Sequence, residues 1–211
     1  MDLFENKNWN EIIIPLLEKY RGRKHPLNYQ NLYQLLVMVI LSAQDSDSNI
    51  NKIAPYLFEK FPNIETLLKS NVLELIPYIN KVKNFEIKSS WLIDISKILL
   101  TNDNIPLNMK QLTLLKGIGR KSANVIIRES NLNPEGIIVD LHVIRVAPRI
   151  GLTNFADANK IEKQLMTVFD KQIWNEVGMA ISFLGREICR PTNPRCYECP
   201  IHMNCNYYNN L

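Results

Sequence analysis

Four thiols, one amine and one carboxylate carry the chemistry open to this sequence. Cys189, Cys196, Cys199 and Cys205 are its only cysteines, with six, two and five residues between successive members. Thiolates so closely spaced suit a tetrahedral metal ion or a cubane cluster. A disulfide framework would be spread over the fold, and disulfides are rare in a reducing cytosol. Structural zinc sites usually pair two Cys-x2-Cys couples across a longer gap. This array has one such couple, so spacing alone leaves zinc and an iron–sulfur cluster both open.

The amine is Lys121. It follows Lys116-Gly117-Ile118-Gly119-Arg120, where two glycines allow a tight turn between helices. Asn108 and Gln111 have the spacing of a capping box, so a short helix is expected from about Met109, and a second from about Arg120 through Ala123, Val125 and Ile126. Such a helix-hairpin-helix presents backbone N–H groups and a helix N-terminus to a phosphate, without regard to base sequence. In the first turn of the second helix the positive end of the macrodipole disfavours a cation and lowers the lysine pKa, which suits a nucleophile. A solvated surface lysine is the plainer alternative. The carboxylate, Asp140, stands where Gly136-Ile137-Ile138-Val139 gives way to a helical pattern through Leu141, Val143, Ile144 and Val146. It is expected to be an N-cap, a role compatible with acting on a nearby amine or developing cation.

The elements that must hold these groups are helices. Apolar stripes of helical period run through Ile12, Ile13, Leu16, Leu17 and Tyr20; Leu32, Leu35, Leu36 and Val39; and Ile50, Ile53, Ala54, Leu57 and Phe61. Others follow at Trp91, Ile95 and Ile98; at Ile161, Leu165 and Val168; and at Ile173, Val177, Ile181 and Leu184. They are expected to pack a core, and no run alternates long enough for a sheet, so the fold class is all-α. Punctuation at Arg21-Gly22-Arg23-Lys24-His25-Pro26 and at Asn131-Leu132-Asn133-Pro134-Glu135-Gly136 brackets five or six expected helices. Composition is that of a globular protein: 46% hydrophobic and 22% charged. A net charge of +4 permits a polyanionic partner without requiring one. No apolar run is long enough to span a bilayer, and Met1-Asp2-Leu3-Phe4-Glu5 lacks a signal-peptide pattern, so an intracellular, cytoplasmic protein is expected.

Together these residues resemble the endonuclease III family of helix-hairpin-helix DNA glycosylases over nearly the whole chain. Leu41-Ser42-Ala43-Gln44 with Asp47 looks like one family motif, Leu115 through Val125 like its hairpin, and Val139-Asp140-Leu141-His142-Val143-Ile144-Arg145-Val146 like its aspartate segment. The cysteine spacing is also the family's, where it holds a [4Fe–4S] cluster. The resemblance implies two all-α domains: a six-helix barrel over residues 25–135, and a cluster domain formed by 1–24 and 136–211. DNA is expected in the cleft between them. It further implies a base excision repair enzyme that excises damaged bases, oxidised pyrimidines foremost, and cuts the strand by β-elimination. Lys121 is then the nucleophile and Asp140 its catalytic partner. The implied partner is damaged double-stranded DNA near the nucleoid, with no membrane, no obligate protein partner and a monomeric chain.

The same resemblance assigns DNA contacts. Gln44 matches the residue that enters the space left by the flipped nucleotide, and Arg190 and Arg195 match basic phosphate contacts. Ser42, Gly117, Ile118, Gly119, Arg120 and His142 fall within the matching blocks. One block departs. Counted without gaps from Gln44, the family's glycine, apolar wedge and tyrosine fall on Lys83, Asn84 and Phe85, while Lys88 and Ser89 keep the pattern. A polar wedge bears on how the partner base is handled, and it raises the alternative of an enzyme acting mainly on existing abasic sites. A noncatalytic DNA-binding protein, the other alternative, has no use for Lys121 with Asp140.

Overall fold

The computed structural model describes residues 7–211, so the N-terminal residues Met1 to Glu5 considered above lie outside the described residues. Among the described residues every regular element is helical and there is no strand. No helix among them is long and apolar enough to cross a membrane.

The first stripe forms not one helix but two, α1 (Trp9–Ile12) and α2 (Ile14–Lys19). Pro15 explains the break: it fits the first turn of α2 but has no N–H with which to continue α1. Ile13, Leu16 and Tyr20 still reach the core. Next come α3 (Leu32–Leu41), α4 (Asp47–Lys60), α5 (Ile64–Leu68), α6 (Val72–Ile79), α7 (Phe85–Leu99), α8 (Met109–Leu112) and α9 (Arg120–Glu129). Five or six helices were expected here; α5, of five residues, is too short for periodicity to announce, whereas the four-residue α8 starts at Met109 as its cap led one to expect. Side-chain caps start most of them, Asn31 on α3, Ser46 on α4, Asn63 on α5 and Asn71 on α6. From Leu35 to Leu41 every residue of α3 is buried, which makes it the central helix of its unit. On α7 the expected Ile98 lies outside the core at 61% exposure, and Leu92, Ile95 and Leu99 form the buried face.

The chain continues through α10 (Leu141–Ile150), α11 (Ala158–Val168), α12 (Trp174–Glu187) and α13 (Asn206–Asn209). It divides into two compact units, one of His25–Leu132 and one joining the chain before His25 to Asn133–Leu211. In the second unit the two chain segments are tied by polar contacts. Tyr20 donates to Glu187 Oε2 at 3.2 Å, Arg23 pairs with Glu187 and lies 4.3 Å from the Phe183 ring centroid, and Asp170 N–H donates to Asn10 Oδ1 at 3.0 Å.

Candidate functional site

In the His25–Leu132 unit the hairpin is built by its caps and its glycines. Asn108 Oδ1 accepts the Gln111 N–H at 2.9 Å and starts α8, while Leu112 and Leu115 anchor the turn in the core. Gly117 has φ +80, and a Cβ there would meet a Trp91 ring carbon at 2.6 Å, so only glycine fits. Gly119 is different. Its backbone is ordinary (φ −93), it opens α9 without a side-chain cap, and a Cβ there would meet nothing within 4 Å. The Ile118 N–H is spent on Leu115 O at 3.1 Å and its side chain is buried. The N–H groups of Gly117 and Gly119, on either side, take no hydrogen bond among the described residues. Phosphate-binding capacity therefore lies in those flanking amides and the N-terminus of α9. Lys121 is the second residue of α9 and half-buried, next to half-buried Arg120. Lys116 points elsewhere, pairing with Asp94 at 2.7 Å.

Two loops of the same unit carry the remaining DNA-contact candidates. Ser42 ends α3, its hydroxyl donating to Val39 O at 3.2 Å, and exposed Gln44 follows with φ 60. Lys83 and Asn84 are exposed between buried Val82 and the start of α7, and Asn84 has φ 58. Sequence reasoning missed Asp45. Its Oδ2 accepts the Lys83 N–H at 2.8 Å, and its Oδ1 accepts from Ser46 N at 2.7 Å and Asn49 Nδ2 at 3.1 Å. Lys88, 2% exposed, donates from Nζ to Leu41 O and Ala43 O, each at 2.7 Å. Burial holds its pKa below the ordinary value, against the attraction of Asp45.

In the other unit Asp140 caps α10 as expected: Oδ1 accepts from His142 N at 2.9 Å and Val143 N at 3.0 Å. Its second oxygen accepts from Ser182 Oγ at 2.6 Å and lies 3.6 Å from Arg186 Nη2. Ser182 and Arg186 were not singled out from the sequence; a buried serine four residues before an arginine, inside an apolar stripe, was the available signal. Their helix reaches α10 because Gly185 has no Cβ, which would stand 2.9 Å from His142 Cβ. His142 itself is half-buried, with Nδ1 3.4 Å from Arg145 Nη2.

The same helix holds the cysteine array. Arg145 Nη2 donates to Gly185 O at 2.8 Å and Cys189 O at 3.2 Å. Arg149 donates to Arg190 O at 2.7 Å and Pro191 O at 3.1 Å, lies 3.7 Å from Cys189 Sγ, and has its guanidinium 5.0 Å from the Tyr207 ring centroid. All four cysteines line one small pocket of about 20 Å³, lined otherwise by Ile150, Leu184, Ile188, His202, Tyr207 and Tyr208. Burial pushes the Cys199 thiol up to about 11, with the other three cysteines adding to the rise. Among the described residues no group of three or more histidine, cysteine or acidic side chains is disposed to hold a metal ion. Arg190 is exposed, whereas Arg195 is engaged with Glu198 at 2.9 Å and with Glu187 O at 2.8 Å.

Residues 37–171 match the family described as HhH-GPD superfamily base excision DNA repair protein. Endonuclease III of Rickettsia prowazekii (strain Madrid E) is 37% identical, the match covering 87% of this chain and 87% of the relative. That of Synechocystis sp. is 32% identical, covering 92% and 90%. Among solved structures, a non-covalent endonuclease III–DNA complex superposes with a TM-score of 0.86 at 27% identity, covering 97% of this chain and 98% of the other. A trapped endonuclease III–DNA covalent intermediate, an estranged-adenine complex, gives 0.87 at 28% identity with the same coverage.

Proposed function

Because the chain belongs to the endonuclease III family of the HhH-GPD base excision repair proteins, we propose that Lys121 and Asp140 are the catalytic pair of a bifunctional DNA glycosylase and abasic-site lyase. The observation that carries this assignment is the seat of Lys121. It is half-buried in the first turn of α9, directly behind a glycine turn with open surface and uncommitted amides. This seat sets the amine beside the turn whose free amides suit a phosphate.

The amine attacks C1′ of a nucleotide flipped from the duplex. An N–C1′ bond forms as the C1′–base bond breaks, and the base leaves with the electron pair and takes up a proton. Loss of a proton from nitrogen and opening of the sugar at O4′ give a protonated Schiff base. Removal of the C2′ proton then expels the 3′ phosphate and cuts the strand. Asp140 stabilises the developing positive charge on the sugar and handles protons. Its cap bonds and Ser182 fix the carboxylate's orientation, so it acts as a preorganised charge.

Borohydride reduction tests the nucleophile by trapping the Schiff base. Natural protein should become covalently linked to abasic-site DNA, and Lys121→Ala should not, while duplex binding stays largely intact. Trapping of Lys121→Ala would move the nucleophile elsewhere. Asp140→Asn should keep α10 capped, since asparagine caps about as well as aspartate, yet slow base excision. The exposed Lys83 and Asn84 favour a second reading, an enzyme acting chiefly on existing abasic sites. Strand cleavage of abasic DNA without cleavage of DNA carrying an oxidised pyrimidine would select it.

Cys189, Cys196, Cys199 and Cys205 fit a [4Fe–4S] cluster. The donor set is four thiols lining one largely apolar pocket. When bound, the cluster supplies iron–thiolate cross-links that organise the segment from Cys189 to Cys205. Iron and sulfide near four per chain in protein purified without oxygen supports this; stoichiometric zinc without iron overturns it.

A further inference from the structure

Two loops of the His25–Leu132 unit hold residues of left-handed backbone whose side chains make no hydrogen bond among the described residues. Gln44 (φ 60) and Asn84 (φ 58) both occupy the left-handed region, which costs a glutamine about 1 kcal/mol and an asparagine less. Both are exposed, and neither side-chain amide has a hydrogen bond among the described residues. Asn84 forgoes a second gain. Asparagine is among the best N-caps and it opens α7, but its left-handed backbone leaves it without a cap bond.

Strain of this kind persists only where surrounding contacts impose it. Here each loop is pinned by a group from the other. Asp45, next to Gln44, accepts the N–H of Lys83, next to Asn84, at 2.8 Å. Lys88, in the first turns after Asn84, donates to the carbonyl of Ala43, next to Gln44, at 2.7 Å. Asn49 Nδ2 completes the brace by donating to both Asp45 Oδ1 at 3.1 Å and Lys81 O at 3.0 Å.

We infer that Asn84 reads the edge of a DNA base and that Asp45 is the residue positioning it. The inference rests on the DNA-binding reading above and deepens it. A neutral amide offers two donors and an acceptor, the complement of a base edge, whereas a phosphate would call for a cation such as neighbouring Lys83. The base in question is one that has lost its partner, since only then is its pairing edge open. A base presenting the wrong pattern leaves a donor or acceptor unmatched, which costs about tenfold in affinity. Asp45 enters through the Lys83 N–H, one residue from the reader. Burial works against its charge, but the N–H groups of Lys83 and Ser46, the Asn49 amide and the Lys88 ammonium outweigh it and hold its pKa low.

The experiment measures binding of the full chain to duplexes carrying a tetrahydrofuran abasic analogue opposite each of the four bases. This readout is independent of Lys121 chemistry, so failed borohydride trapping would count against the catalytic reading alone. Natural protein should spread about tenfold over the opposing bases. Asn84→Leu should bring the spread to within about twofold, and Asp45→Ala should narrow it comparably. In the Asp45→Ala/Asn84→Leu double variant the aspartate substitution should change nothing further, because its effect passes through Asn84. A natural protein indifferent to the opposing base, or a spread undiminished in Asn84→Leu, overturns the reader. Further narrowing by Asp45→Ala in the Asn84→Leu background overturns the positioning role.

Discussion

Gly117 and Gly119 look equivalent in the sequence, two glycines flanking one isoleucine, and the structure gives them different work. At Gly117 a Cβ is excluded both by φ +80 and by Trp91 at 2.6 Å. Gly117→Ala should lower unfolding free energy by about 2–4 kcal/mol, from left-handed strain plus overpacking, read by denaturant titration. At Gly119 neither constraint exists. Gly119→Ala should cost under about 1 kcal/mol of stability while weakening duplex binding severalfold, because the methyl group intrudes where a phosphate approaches. Loss of stability with binding unchanged would make Gly119 a folding residue only. The turn was legible at this scale because glycine pairs and caps are local signals. Asp45 and Ser182 were not, because their partners, Lys83 and Asp140, lie 38 and 42 residues away in the chain.

Helix α10 joins the proposed carboxylate to the cysteine array. Asp140 caps its start, and Arg145 and Arg149, one turn apart, hold the backbone of Cys189, Arg190 and Pro191. Periodicity made the helix and its cap readable, but not which arginines face inward, since a solvated arginine leaves the same trace in a sequence. Arg149→Met should therefore release iron to a chelator faster than the natural protein, followed as decay of visible absorbance. It should cost under about 1 kcal/mol of stability, because the exposed Arg190 and Pro191 carbonyls turn to water; unchanged iron retention would mean the guanidinium is mere surface. The loop brace has a pH signature of its own. The Asp45 carboxyl is held below its ordinary 3.8, so its stabilisation is present above that value and is lost as pH falls through the folded-state pKa. Between pH 5 and pH 3, the melting temperature of Asp45→Asn should fall less than that of natural protein. Parallel curves would show that the carboxylate contributes nothing to stability.

At the scale of the molecule, the helical class and the four-thiol array were both readable from spacing. What spacing does not reveal is that α1 and α2 belong with the C-terminal helices, because the contacts joining them span well over a hundred residues. Tyr20 and Arg23 meet Glu187, and Asn10 meets Asp170. The Glu187 contacts lie two residues before Cys189. If the cluster organises the end of α12, its loss should loosen both chain segments together, because the N-terminal helices have no core of their own. The His25–Leu132 unit, with α3 buried at its centre, should remain folded. Hydrogen exchange on the soluble fraction of Cys199→Ser, or on protein stripped of iron, distinguishes the outcomes. Protection should fall in Trp9–Lys19 and in Trp174–Glu187 alike, and persist in Leu32–Leu41 and Arg120–Glu129. Protection retained in Trp9–Lys19 would show that the N-terminal helices are held by packing alone. Protection lost everywhere would show that the two units fold as one, so that removing the cluster silences the hairpin as well as the aspartate.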